Sequence, residues 1–264
     1  MPALIFDCDG VLADTERYGH LPAFNRAFRE AGVPVQWSEQ EYGRKVLIGG
    51  GKERMRSEFT AQLAARWPGC PTDPAAQDEL IAELHRRKTA LYTERIAAGD
   101  IAPRPGIARI SAEADAAGWQ LAVASTSAEP SVRAVLRRAV GDELAGRFAV
   151  FAGDIVPHKK PAPDIYRHAL DTLGVAAADA VVVEDSGIGL DAARGAGLAT
   201  IVTVSSYTAD EDFTGAALVL SDLGDIDAGA PMRVLADPAS LAPSGQIDLT
   251  DIEAVRRAAH VEEK

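Results

Sequence analysis

Asp7 and Asp9 stand on either side of Cys8 at the end of the apolar run Ala3-Leu4-Ile5-Phe6, and Gly10-Val11-Leu12-Ala13-Asp14 follows them. At an extended strand end, side chains at i and i+2 project the same way, so the two carboxylates converge on one point. Carboxylates held that close repel each other unless a cation lies between them or one keeps its proton. The chemistry suited to this layout is a metal-assisted reaction with a carboxylate nucleophile and a separate acid/base. An Asp- and Gly-rich turn after a buried strand accounts for the same residues without any chemistry. This segment alone does not separate the two.

Two other strand ends and one predicted helix start carry complementary groups. Gln120-Leu121-Ala122-Val123-Ala124 ends in Ser125-Thr126-Ser127, small hydroxyl donors placed where a strand stops. Val181-Val182-Val183 ends in a second acidic pair, Glu184-Asp185. Between them His158-Lys159-Lys160-Pro161-Ala162-Pro163-Asp164 offers a cation at the start of a predicted helix. Because Pro161 disfavours helix at the residue before it, Lys160 is expected at an element boundary. Lys159 is read as solvated surface. In an open parallel sheet, ligands bind beyond the carboxyl ends of the strands, so these four segments can meet in one crevice.

Asp7-x-Asp9-Gly-Val, Ser125, Lys160-Pro161 and Glu184-Asp185 together resemble the four ordered motifs of the haloacid dehalogenase superfamily, over a span reaching to about Leu220. Within it the chain is most similar to CbbY-like sugar-phosphate phosphatases. The segments that carry this likeness are Ala23-Phe24-Asn25-Arg26-Ala27-Phe28, Ile48 to Met55, Ser125-Thr126-Ser127 and Lys160 to Tyr166. The resemblance implies a Mg2+-dependent phosphohydrolase working through an aspartyl-phosphate. Asp7 would be the nucleophile, and Asp9 the acid that protonates the leaving alcohol and later the base that activates water. The metal would be held by Asp7, the Asp9 carbonyl, Glu184 and Asp185, an all-oxygen set that suits Mg2+. Lys160 would neutralise the nucleophile and the transferring oxygens. Ser125 and the Thr126 amide would bind phosphate oxygens, a role compatible with capping the helix that follows. Glu16, His20, Gly50, Gly51, Lys52 and Arg54 would contact the rest of the substrate. At one point the chain departs from the CbbY pattern. Leu47 stands where a lysine commonly precedes the Ile-Gly-Gly-Gly segment, with Arg44 and Lys45 displaced from it.

The elements that must position these groups follow from the apolar pattern. Near-continuous apolar runs at Leu121–Ala124, Phe148–Phe151, Ala180–Val183, Thr200–Val204 and Leu218–Leu220 alternate with helical patterns at 107–117, 130–139, 163–173 and 190–196. That alternation reads as an α/β fold, a Rossmann-like parallel sheet covered on both faces. The stretch from Thr15 to about Gly99 reads instead as mostly helix with no strong strand, broken at Gly32 and Pro34, with long runs from Lys52 to Trp67 and Ala75 to Ala98. The expected organisation is therefore a catalytic core of residues 1–14 and 102–264 with an inserted α-helical cap domain, residues 15–101. The cap's cations would grip sugar hydroxyls or a second phosphate on closure. Residues 225–245 are expected to be irregular, and Thr250-Asp-Ile-Glu253 reads as a capping box ahead of a short helix running to Ala259.

Composition narrows the partners. With 39 acidic against 27 basic residues the net charge is -12, which disfavours a nucleic-acid backbone. Cys8 and Cys70, the two cysteines, have no zinc or disulfide spacing. No apolar run approaches the ~20 residues of a membrane span, and Asp7 and Asp9 interrupt what would be a secretory signal. The expectations are a cytoplasmic monomer, or a stromal one after removal of a transit peptide, that binds a phosphorylated small sugar and neither nucleic acid nor membrane. Xylulose-1,5-bisphosphate is the substrate the resemblance suggests. A β-phosphoglucomutase-like phosphomutase is the alternative reading, and a phosphate-binding scaffold without chemistry would require damage to Asp7, Asp9, Lys160 or Asp185. Gly187-Ile-Gly189 does not complete a dinucleotide-binding fingerprint.

Overall fold

Ala3–Phe6 is apolar at every position and becomes strand β1, every residue of which is buried. The computed structural model describes residues 1–258, in which the chain divides into two compact units, Met1–Asp14 with Ala102–Lys264, and Thr15–Ile101.

The second unit is helical. A π-helical turn, Glu16–His20, leads into α1 (Leu21–Glu30), followed by α2 (Glu39–Lys45), α3 (Gly51–Arg56), α4 (Ala61–Arg66) and α5 (Pro74–Ala97). In α1, Leu21, Phe24 and Phe28 recur at three- and four-residue spacing and form a buried stripe against α5. Phe24, Phe28, Trp37 and Tyr42 form a cluster of rings with centroids 5.0 to 6.5 Å apart. Lys52 to Trp67 is not one helix, as the pattern suggested, but two. The Ser57 hydroxyl bonds back to the Arg54 carbonyl and the Thr60 hydroxyl takes the Leu63 amide, so side chains compete for the main-chain groups that a continuous helix would use.

The first unit continues with α6 (Ile107–Ala116), β2 (Gln120–Ser125), α7 (Glu129–Val140), α8 (Asp142–Ala145), β3 (Ala149–Ala152), α9 (Asp164–Leu173), β4 (Ala180–Glu184), α10 (Gly187–Gly195), β5 (Ala199–Thr203), β6 (Leu218–Leu220), β7 (Val234–Ala236) and α11 (Leu249–Ala258). The sheet order is β3-β2-β1-β4-β5-β6-β7. All pairings are parallel except β6 with β7. One face of the sheet, carrying Ala3, Ile5, Ala122, Ala124, Ala180 and Val182, packs on Ile165, Tyr166 and Ala169 of α9 and Ala192 and Ala193 of α10. Each large apolar side chain buried here contributes about 1.5–3 kcal/mol. Chain order reverses at β1, which lies between β2 and β4, and this places the crevice of a doubly wound sheet at the β1 and β4 ends.

Two expectations for the tail change. Residues 225–245 include β7, an antiparallel edge strand too short and too exposed to show alternation. The last helix begins earlier than predicted. Asp248 Oδ1 accepts the Thr250 and Asp251 amides while Asp251 Oδ2 accepts the Asp248 amide, so the reciprocal cap is Asp248 with Asp251 rather than Thr250 with Glu253. Ala259, predicted at the end of this helix, lies outside the described residues.

Candidate active site

Parallel register sets the geometry of the site. Phe6 is level with Val123 of β2 and Val183 of β4, so the next residues along, Asp7, Ala124 and Glu184, meet at one height. The Asp7 amide donates to the Val183 carbonyl at 2.9 Å. Lys160 reaches all three from the loop ahead of α9. Its Nζ lies 2.7 Å from Asp7 Oδ1, 2.6 Å from Glu184 Oε1, 3.0 Å from the Ala124 carbonyl and 3.0 Å from the Tyr166 hydroxyl. The Lys160–Pro161 peptide bond is cis. Tyr166 also donates to Glu184, and the ammonium sits 4.8 Å from the Tyr166 ring centroid.

Two glycines allow the close approach. Gly10 has φ of 87°, and a Cβ there would overlap the Asp185 carboxylate. A Cβ at Gly189, in the first turn of α10, would overlap the Glu184 carboxylate. Ser186 caps α10 by accepting the Gly189 amide at 3.1 Å, which fixes that turn above the end of β4.

Among the described residues Asp7, Glu184 and Asp185 are buried and bring carboxylate oxygens within 4.8 Å of one another. Burial pushes the Asp7 carboxyl up to about 7, with Glu184 and Asp9 adding to the rise and Lys160 opposing it. Burial, then Asp7 and Glu184, also push Asp185 well above the usual carboxylate range, while a hydrogen bond from Ser205 works the other way. Burial disfavours the Lys160 charge, but Asp7 and Glu184 outweigh it and raise that group. Three buried carboxylates against one ammonium leave two negative charges to be balanced by protons or by a divalent cation. The donors are hard oxygens, as Mg2+ requires, so the residues present fit that ion. Asp9 does not join the set through its carboxylate. That group is half-buried and accepts a hydrogen bond from the Ser127 hydroxyl.

Ser125 is buried at the end of β2, and its hydroxyl accepts the Ser127 amide at 3.2 Å. Thr126 follows it, partly exposed. Of the predicted site residues in the sheet-bearing unit, the structure thus gathers Asp7, Lys160, Glu184 and Asp185 into one contact network, with Ser125 at the end of β2 and Asp9 and Thr126 on the adjoining loops.

The remaining predicted residues form a second group within the helical unit. Arg54 directs its guanidinium to Glu16 at 2.9 and 3.0 Å, to the Tyr42 hydroxyl at 2.9 Å and to the carbonyls of Ile48 and Val46. It thereby ties Glu16 to the segment entering the glycine triplet. Gly50 has φ of 98°, and a Cβ on Gly51 would come within 2.8 Å of His85 Nε2. Lys52 is exposed. His20 is buried, stacked on Tyr92 at 4.0 Å between ring centroids, with Nδ1 2.6 Å from Lys88 Nζ.

Tyr166, Ser127 and Ser205 were not singled out as site residues from sequence. Tyr166 lies in the first turn of α9 on the face that an i+3/i+4 reading assigns to the core, and nothing in its spacing marks a polar role.

A family model for haloacid dehalogenase-like hydrolases matches residues 1–197. The CBBY-like protein of Arabidopsis thaliana is 48% identical over 224 residues, 84% of this chain and 69% of that protein. Protein CbbY of Cupriavidus necator is 43% identical over 235 residues, 89% of this chain and 90% of that one. Crystal structures of CbbY from Rhodobacter sphaeroides, one with phosphate and one of a mutant with xylulose-(1,5)bisphosphate, superpose with a TM-score of 0.74 at 43% identity, covering 84% of this chain and 95% of theirs. With the sheet order, the ordered strand-end motifs and these likenesses in agreement, the chain belongs to the haloacid dehalogenase-like hydrolases and is an enzyme of the CbbY phosphatase type.

Proposed function

We propose that this enzyme is a Mg2+-dependent phosphatase that hydrolyses a small sugar phosphate or bisphosphate through an aspartyl-phosphate on Asp7. The observation that carries the reading is the buried surplus of carboxylate around Lys160, a charge imbalance that a divalent cation resolves.

In this reading an Asp7 carboxylate oxygen attacks phosphorus in line with the leaving sugar oxygen. The phosphorus–oxygen bond to the sugar breaks as Asp9 gives its proton to the departing oxygen. Water then attacks the phosphoryl group, Asp9 takes the proton back, and Asp7 is freed with inorganic phosphate. Asp7, the Asp9 carbonyl, Glu184 and Asp185 would hold Mg2+, which supplies positive charge to the phosphoryl oxygens. Lys160 holds the attacking carboxylate in place and offsets charge on the transferring oxygens. Tyr166 keeps Lys160 between Asp7 and Glu184. Ser127 orients Asp9 for its proton transfers. Ser125 and the Thr126 amide bind phosphoryl oxygens. Lys52 and the main chain of Gly50 and Gly51 contact sugar hydroxyls or a second phosphate, His20 acts with Lys88 behind them, and Arg54 supports Glu16.

Xylulose-1,5-bisphosphate is the first candidate substrate, because a 43% identical structure holds it. The test is release of inorganic phosphate from a panel of sugar mono- and bisphosphates, with and without Mg2+, by the wild-type enzyme and by Asp7→Asn. The reading requires Mg2+-dependent release that Asp7→Asn abolishes. Turnover retained in that variant removes the nucleophile, and isomerised sugar phosphate in place of free phosphate replaces hydrolysis with phosphomutase chemistry.

A further inference from the structure

Arg104 precedes Pro105 and Gly106 in the segment that leads into α6. Its guanidinium donates to four main-chain carbonyls on three separate pieces of the catalytic unit. These are Gly10 in the loop after β1, Thr203 at 3.1 Å and Val204 at 2.7 Å at the end of β5, and Ser221 just beyond β6. The Arg104 amide adds a bond to the Leu12 carbonyl at 3.0 Å, so the side chain and main chain of one residue hold two points of the loop just after Asp9. A guanidinium can satisfy several acceptors at once because its five N–H groups are fixed in a plane, whereas an ammonium offers three from a single atom.

The charges around Arg104 point toward the site. Burial disfavours the guanidinium charge, and Asp185, Asp14 and Asp222 oppose that effect. Asp185 belongs to the carboxylate cluster. Gly10 is therefore held from two sides, its carbonyl by Arg104 and its Cα face by the Asp185 carboxylate that a Cβ would displace. Only the φ and ψ of Gly10 separate the planar peptides that carry the Asp9 and Gly10 carbonyls, so a Gly10 held from both sides restricts the Asp9 carbonyl as well.

Resting on the functional reading above, we propose that Arg104 is a positioning residue for the divalent cation, holding the Asp9–Gly10 main chain and the Asp185 carboxylate in the arrangement the ion needs. A staple of purely structural value would lower the melting temperature and leave ion affinity alone. A positioning role moves the affinity of a folded protein, because outer-shell contacts of this kind are worth about 10–100-fold in metal binding.

The experiment is calorimetric titration of Mg2+ into the wild-type chain, Arg104→Lys, Arg104→Ala and, as a control, Arg147→Ala, which removes only exposed ion pairs to Asp115 and Glu143. Each protein is first shown to melt cooperatively, and if the alanine variant does not fold the lysine variant carries the test. The expected result is a Kd for Mg2+ raised about tenfold or more in both Arg104 variants, unchanged in the control, and partly restored in Arg104→Ala by guanidinium below denaturing concentration. In turnover assays the Mg2+ half-saturation rises and kcat falls while KM for the sugar phosphate holds. Wild-type affinity in folded Arg104 variants beside a binding wild type overturns this inference alone. Failure of the wild-type chain to bind Mg2+ at all overturns the functional reading and this inference with it.

Discussion

Lys160 and Asp7, 153 residues apart in sequence, meet at 2.7 Å with side chains 7% and 11% exposed. A buried ion pair of this kind gains little net stability, since desolvating two charges offsets most of their attraction. Its geometry accounts for its presence. The ammonium bridges the ends of β1 and β4, so it fixes the direction of the Asp7 carboxylate at the point where the sheet's order reverses.

Removing either partner is another matter. Lys160→Met is expected to leave Asp7 and Glu184 buried without their cation and to cost about 3–5 kcal/mol in the metal-free protein. Urea denaturation with and without Mg2+ checks this. The loss should shrink when Mg2+ is present, while turnover is expected to be abolished because Asp7, the proposed nucleophile, is no longer held.

Metal and pH should act together on stability. Asp7 is raised from 3.8 to about 7 and Asp185 moves the same way, so the folded chain favours their protonated forms. That contribution is complete below the ordinary carboxylate value and is lost as pH rises through about 7. In the proposed function Mg2+ would take the place of those protons. The melting-temperature gain on adding Mg2+ is therefore expected to be larger at about pH 8 than at about pH 5, and equal gains at both would contradict the shared site.

Gly10→Ala tests the close approach of loop and carboxylate. The substitution combines a left-handed φ of 87° with overlap on Asp185, and is expected to cost about 1–3 kcal/mol and to weaken Mg2+ binding. A thermal melt and a Mg2+ titration of the variant measure both.

His85 gives the helical unit its own pH response. Burial, with Lys88 and Lys52 nearby, lowers its pKa from 6.5 to about 4. A base whose folded pKa is depressed contributes stability above its unfolded value, and that contribution is lost as pH falls from 6.5 through about 4. The ring is only partly buried, so the loss is about 1–2 kcal/mol. His85→Gln, neutral throughout, should show a smaller stability difference between about pH 7 and pH 4.5 in urea unfolding.

The contact network around Asp7 was legible because each of its members ends an apolar strand or precedes a proline in the loop ahead of a helix, and chain order in a parallel sheet puts such ends on one side. The split of the Lys52–Trp67 run was not legible, because an apolar period survives a break made by the Ser57 and Thr60 hydroxyls. Nor was β7. Its three exposed residues carry no alternation, and its pairing with β6 depends on a return of the chain that no local pattern records. Arg54 is expected from sequence to contact substrate, yet its donors are taken by Glu16, Tyr42 and two carbonyls.

The sequence by itself determined the chemistry on offer, two acidic pairs, a lysine and hydroxyls at strand ends, since strand periodicity and element order are local properties of the chain. Only the tertiary structure decided their protonation and their partners. Burial and the approach of Lys160, Tyr166 and Arg104 are set by segments remote along the chain, and electrostatic energy depends on distance in space, not along the chain.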